Sequence, residues 1–291
     1  MEIVNPMYWN ASLVAQVLSV IAVALNLLVV LVFATTKQFR VKYHGFVFNL
    51  VLADIAVSVT LFIYMRPHPF DKAVQAVGRA FFLTAQLNIL AVAVNRLLAL
   101  SLMPPARYDA VVTPARMVLA CLLIWIVSAA LFVPTTFLQD KKLNWLIQAL
   151  LPLITLVMTG IFYVMVFRKI AHYRAPLAYT QGISDIEEQT STRLRQTRHL
   201  MVTFTVIFVA SALCWLPFCV VFIMLFAHGG PTISLSVALW WSFPPLTINS
   251  ILNPFIYWWR FKEARDGFYQ LLFGCCCRRR QETAEETEGD L

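Results

Sequence analysis

Residues 13–36 read LVAQVLSVIAVALNLLVVLVFATT, an apolar run without a charged residue, in which Asn26 is the most polar group of the inner half. A helix that crosses about 30 Å of hydrocarbon needs about 20 such residues, because lipid offers no partner to a backbone N–H or C=O. Comparable runs recur at 43–65, 73–102, 115–138, 145–168, 200–227 and 233–259. The sequence therefore predicts an all-α membrane protein, a seven-transmembrane helix bundle. Arg66-Pro67-His68-Pro69-Phe70-Asp71-Lys72 joins the second and third runs, and His228-Gly229-Gly230-Pro231 the sixth and seventh. Their prolines cannot continue a helix, so both read as tight hairpins.

The whole composition agrees. Of 291 residues 60% are apolar and 13% charged, and the mean hydropathy is +0.72, whereas soluble domains are about half apolar and a quarter charged. A soluble globule is excluded. The net charge of +8 lies between apolar blocks and not on the basic face of a soluble module, which excludes a nucleic-acid partner. No internal repeat, no paired mid-membrane acids and no His/Asp or Cys/His metal spacing are visible, which argues against a transporter or an intramembrane enzyme, a small transporter standing as the second alternative.

Lys and Arg set the orientation. With the N-terminus outside, only Arg66, Lys72, Arg79, Lys141 and Lys142 of the 23 basic residues fall on the outer side. Residues 1–12 then form an extracellular N-terminus in which Asn10-Ala11-Ser12 is a glycosylation acceptor. They lack a charged leader and cleavage site, so the first span reads as a retained signal anchor. Residues 13–259 form the spanning domain. Residues 260–273 alternate charge with Phe261, Phe268, Tyr269, Leu271 and Leu272, as a short amphipathic eighth helix on the inner leaflet would. The tail, 274–291, opens with Cys275-Cys276-Cys277 beside Arg278-Arg279-Arg280, a thiol cluster on a polybasic patch that suits palmitoylation.

Polar groups at mid-membrane depth are expensive and so informative. They are Asn26; Asn49 and Asp54; Asn95-Arg96; Trp125; Pro152; Cys214-Trp215-Leu216-Pro217; and Asn249-Ser250 with Asn253-Pro254-Phe255-Ile256-Tyr257. In this order and spacing the set resembles the rhodopsin-like (class A) G-protein-coupled receptors over all seven spans and the helix that follows. Pro217 allows the sixth helix to kink half a turn from Trp215, and Pro254 does the same one turn from Tyr257. The resemblance makes Asn95, Arg96, Trp215, Pro217, Asn253, Pro254 and Tyr257 the activation switch, and implies a sodium site at Asp54, Asn249, Ser250 and Asn253. A neutral Asp54 hydrogen-bonded to Asn26 or Asn253 is the other reading of that cluster. No other cofactor is implied. The family's Asp-Arg-Tyr stands here as Asn95-Arg96-Leu97, and the acid usual at the start of the sixth helix is missing from Arg193–Arg198. Arg96 thereby lacks two of its usual restraints, which suggests high basal activity, a constitutively active receptor or a decoy. The partners implied are a heterotrimeric G protein, an extracellular small-molecule agonist, membrane lipids, arrestin and receptor kinases, at the plasma membrane.

The outer half narrows the ligand. Amine receptors of the family carry an Asp about five turns outward of the conserved Arg, and Gly78 stands there, 18 positions before Arg96. No Lys lies in 233–259, so a retinal Schiff base is excluded. Asp71 replaces the family's outer cysteine, and 138–144 is too short to fold a hairpin. The ligand-site candidates are Arg79, Phe82, Trp215, Phe218, Phe222, Phe243 and Thr247, with Gln75, Trp145, Gln148, Cys219 and Trp240 around them. Most are aromatic. Arg79 either snorkels to the outer boundary or binds an anionic head group. A neutral or anionic amphiphile is expected.

Overall fold

In a computed structural model the described residues are 6–35, 45–66, 72–102, 105–137, 140–171, 181–260 and 265–271. They form nine named helices and no strand: α1 (Pro6–Thr35), α2 (Gly45–Tyr64), α3 (Lys72–Ser101), α4 (Pro105–Val111), α5 (Pro114–Thr136), α6 (Lys141–Ala171), α7 (Gln181–His228), α8 (Ile233–Trp241) and α9 (Phe243–Arg260). We call the end that bears Pro6, Tyr64 and His228 the outer end, and the end that bears Ser101 and Arg260 the inner end.

Six helical stretches are long and apolar enough to cross a membrane: α1, α2, α3, α5, α6 and residues 205–228 of α7. The seventh crossing is not the single helix expected over 233–259. It is α8 and α9, separated at Ser242. Pro244 and Pro245 follow the break, and neither has an N–H to give to the turn before it. The Ser242 N–H and hydroxyl close the end of α8 instead, both on the Leu239 carbonyl.

The helix ends also move. α1 starts at Pro6, a proline whose fixed φ suits a first helical turn, so the expected extracellular segment 1–12 is partly helix. Asn10 is exposed there, while Ser12 of the same tripeptide is buried and its hydroxyl donates to the Met65 carbonyl. α7 begins well before residue 200, because its polar first half is rich in Glu, Gln and Arg, good helix formers that hydropathy does not register. The small α4 was not expected. Behind it Thr113 caps α5, accepting the Arg116 N–H at 3.3 Å with Pro114 in the first turn.

Close approach of the helices follows from small residues. Ala11, Ala15, Ser19, Ala22 and Asn26 repeat every three or four positions along α1 and are fully buried, which lets the backbones of α2 and α9 come near. The opposite face, with Val17, Ile21, Leu27 and Leu31, is exposed, as a lipid-facing surface should be. Three buried hydroxyls are satisfied within their own helices, Ser19 on Ala15, Ser58 on Asp54 and Thr84 on Ala80. Residues 265–271 are helical and Phe268 joins the same apolar cluster as Tyr257. This short helix covers the described part of the expected 260–273 segment. Cys275–Cys277 and the tail lie outside the described residues.

Candidate functional site

Three polar or concave zones lie along the axis of the bundle. The outermost is a cavity of about 160 Å³ lined by Thr60, Leu61 and Tyr64 of α2, Val74, Gln75, Gly78, Arg79 and Phe82 of α3, Asn144, Trp145 and Gln148 of α6, Phe218 and Phe222 of α7, and Leu239 and Phe243 on either side of the α8–α9 break. Arg79 therefore faces inward. Its Nη1 donates to Asn144 Oδ1 at 3.4 Å, and Gln148 Nε2 donates to the same oxygen at 2.9 Å. Among the described residues no Asp or Glu lines the cavity.

The floor is aromatic. Trp215 meets Phe82 edge-on at 5.4 Å between ring centroids and Phe218 at 5.9 Å, and Phe218 in turn contacts Phe222 at 4.6 Å and Phe243 at 6.0 Å. These rings sit at offset and edge-to-face geometries, which the quadrupole favours. The spacing 215, 218, 222 puts all three on one face of α7. Of the sequence candidates, Gln75, Arg79, Phe82, Trp145, Gln148, Phe218, Phe222 and Phe243 line the cavity. Trp215 lies beneath it, 3% exposed. Thr247 is turned away, its hydroxyl donating to the Phe243 carbonyl at 3.2 Å, and Cys219 is packed at 1% exposure. Trp240 forms an outer cap with Tyr64, 6.4 Å away and stacked, and Tyr8, 6.1 Å away and edge-on. The sequence reading missed the α2 wall. Thr60 and Tyr64 are one turn apart at the outer end of an apolar span, a signal available in the sequence but dependent on which face of α2 turns inward.

Gly78 has a steric reason. A Cβ built on it would stand 3.0 Å from Thr60 Cγ2, so α2 and α3 touch where amine receptors carry a carboxylate. An acid at this position would force Thr60 aside.

The middle zone centres on Asp54, 0% exposed. Ser250 Oγ donates to Asp54 Oδ1 at 2.9 Å and Asn253 Nδ2 to Asp54 Oδ2 at 2.7 Å. Asn26 Nδ2 reaches the Ser250 carbonyl at 3.0 Å, not Asp54 itself, and Asn26 Oδ1 is buried without a hydrogen-bond partner. Asn249 is held elsewhere, its Oδ1 accepting from Ser211 of α7 at 2.7 Å. Beside this cluster Trp125 Nε1 donates to Asn49 Oδ1 at 2.9 Å while Asn49 Nδ2 donates to Asn88 Oδ1 at 2.7 Å, tying α5, α2 and α3. Gln86 of α3 accepts from Thr155 of α6 at 2.7 Å. Asn88, Gln86 and Ser211 were not singled out in the sequence, although each is a polar residue inside an apolar run.

At the inner end Asn95 and Arg96 are 4% and 2% exposed. Arg96 is inside the bundle and does not snorkel. Tyr108 of α4, fully buried, donates its hydroxyl to Asn95 Oδ1 at 2.9 Å. Tyr257 of α9 and Tyr163 of α6 are buried in the same inner cluster, together with Ile207 of α7. Pro217 and Pro254 lie within α7 and α9. The side chains of Arg193–Arg198 lie outside the described residues.

A bundle of seven crossings with a concave outer site, a polar middle and a buried arginine at the inner end has the form of a multi-pass membrane receptor. The chain belongs to the rhodopsin family of seven-transmembrane receptors, the class A G-protein-coupled receptors. The model of that family, described as 7 transmembrane receptor (rhodopsin family), matches residues 25–257. Similar curated proteins include the histamine H2 receptor of Homo sapiens, 24% identical over 319 aligned residues that cover 95% of this chain and 82% of the relative. The adenosine receptor A2a of Equus caballus is 22% identical, covering 92% of this chain and 73% of the relative. The adenosine receptor A3 of Ovis aries is 24% identical, with coverages of 87% and 86%.

Proposed function

We propose that this receptor sits in the plasma membrane with its N-terminus outside, binds a neutral or anionic small amphiphile in the outer cavity, and promotes nucleotide exchange on a heterotrimeric G protein. The observation that carries the ligand class is the charge of the lining among the described residues: one arginine, no acid, and a glycine packed on Thr60 where a counter-ion to an ammonium would stand. A cation buried there would be unpaired and beside Arg79, at a cost of several kcal/mol. Among the relatives the histamine receptors are, by name, receptors for an amine, and this chain differs from such recognition at Gly78. The test is a cell-based screen of metabolites and lipids with several G-protein reporters. Activation by carboxylates, sulfates, phosphates or neutral amphiphiles supports the reading, and robust activation by histamine, dopamine or serotonin at low concentration overturns it.

In this reading agonist contact with Phe82, Phe218 and Phe243 moves Trp215, and the flexibility that Pro217 gives α7 converts this into a swing of its inner half. Asn253, Pro254 and Tyr257 relay the change along α9 to Arg96, which meets the G protein; arrestin and receptor kinases act on the tail. A constitutively active or decoy receptor is a second reading, supported by Asn95 in place of an acid.

Sodium is the ion the family resemblance implies, and the donors fit it: a buried carboxylate, the Ser250 hydroxyl and the unpartnered Asn26 Oδ1 are hard oxygens suited to such a cation. Asn249 contributes only if it leaves Ser211. A bound ion would brace α2 against α9, and its binding free energy would stabilise the fold. The melting temperature of the purified receptor is expected to rise in sodium chloride relative to choline chloride, and Asp54→Asn to abolish the difference. Equal melting temperatures for the unmodified receptor would leave Asp54 as a neutral acid bonded to Asn253.

Two modifications belong to the proposal. Asn10 carries a glycan, attached before Ser12 is buried against Met65. Cys275, Cys276 and Cys277 are acylated, and two or more chains, or one with Arg278–Arg280, anchor the tail stably where one chain alone does not. Acyl-exchange labelling is expected to fall to background when the three cysteines become Ser; an unlabelled starting protein removes the claim.

A further inference from the structure

A second concavity, of about 490 Å³, lies on the outside of the bundle at its inner half, between α3 and α5. Its walls are apolar, with Leu87, Leu90 and Val94 on α3 facing Ala120, Leu123 and Val127 on α5; the polar exceptions are Asn95 and Arg116. Leu98, Val111, Leu123 and Val127 of its own lining are exposed, and α5 buries only Met117, Ser128, Phe132, Thr135 and Thr136. The groove therefore faces hydrocarbon and not water.

Its dimensions and charge select one occupant. From Arg116 to Val127 the groove follows α5 for about 16 Å at 1.5 Å per residue, and one leaflet contributes about half of a 30 Å hydrocarbon core. An acyl chain that starts at the inner headgroup level fills this length and ends at mid-membrane. Arg116 stands at the mouth, exposed, with Nη1 donating to the Ala110 and Val111 carbonyls at 3.3 and 2.9 Å. Those bonds fix the guanidinium in place and leave its other N–H groups for an oxyanion. Among the described residues no acid lines the groove to compete.

We propose that this groove binds one anionic phospholipid of the inner leaflet, its chain between α3 and α5 and its headgroup on Arg116. The bound chain touches Asn95, so occupancy reaches the residue next to Arg96. This site is separate from the outer cavity, and its test needs no agonist.

The full-length receptor is reconstituted in nanodiscs of phosphatidylcholine, phosphatidylserine and cholesterol, released into mild detergent and examined by native mass spectrometry. The expected result is one retained phosphatidylserine, favoured over phosphatidylcholine by about fivefold, roughly the factor that a single arginine near an anionic headgroup contributes. Arg116→Gln should remove that preference. Ala120→Phe should fill the groove and remove the retained lipid whatever its headgroup. Equal retention of the two phospholipids, retention of cholesterol in their place, or an undiminished preference in Arg116→Gln overturns the proposal. If Ala120→Phe does not reach the membrane, the comparison of lipids on the unmodified receptor decides by itself.

Discussion

Asn95→Asp is expected to lower ligand-free signalling about tenfold at equal surface expression. Asn95 is buried beside Arg96, and its oxygen already accepts the Tyr108 hydroxyl at 2.9 Å. A carboxylate has nearly the same shape, so the bond to Tyr108 is kept and becomes charge-assisted, and a negative charge is placed next to a buried guanidinium. Charge-assisted bonds of this kind contribute about 1 to 3 kcal/mol, and 1.4 kcal/mol is a tenfold shift between two states. The gain belongs to the state in which α3 and α4 are packed as they are here. Tyr108→Phe is expected to act in the opposite direction, because it leaves a buried amide oxygen without its donor. A G-protein activation reporter read without agonist, normalised to surface receptor, checks both. Unchanged or higher basal signalling in Asn95→Asp sinks the argument.

The spans were legible because the membrane imposes one strict condition, a long run of mostly apolar residues with few charges, and the sequence meets it seven times. What hydropathy cannot report is where a helix goes after it leaves the lipid. Pro6 starts α1 earlier than the apolar run, and the polar half of α7 is helical although it carries no apolar run. The break at Ser242 was written in Phe243-Pro244-Pro245, yet an apolar stretch of sufficient length hid it. This matters for the site, since Leu239 and Phe243 reach the cavity from opposite sides of the break.

Within the site, residues on helices with an obvious inward face were legible, as with Phe218 and Phe222 on α7. Partner choice was not. Asn249 and Asn253 are one turn apart on the same helix, but Ser211 takes the first and Asp54 the second. That assignment depends on the rotation of α7 against α9, which no spacing rule within one helix contains. Thr247 shows the same limit, its hydroxyl bonded to its own helix and not turned to the cavity.

Arg79→Gln is expected to reduce agonist potency about tenfold or more, equivalent to 1.4 kcal/mol, with surface expression unchanged. Arg79 lines the cavity and its contact with Asn144 is long, 3.4 Å, so little is lost when the guanidinium turns from that amide to an anionic ligand. Gln148 already holds the same oxygen at 2.9 Å and keeps Asn144 satisfied when Arg79 leaves. The confined volume, about 160 Å³, favours a compact head group whose apolar body lies on Phe82, Phe218 and Phe243. Arg79→Lys separates charge from shape: a ligand held by a bidentate fork loses potency in Lys as well as Gln, and one held by charge alone is rescued by Lys. A purely snorkelling arginine gives the reverse pattern, normal potency with fewer receptors at the surface, because the residue would then anchor the helix and never meet the ligand.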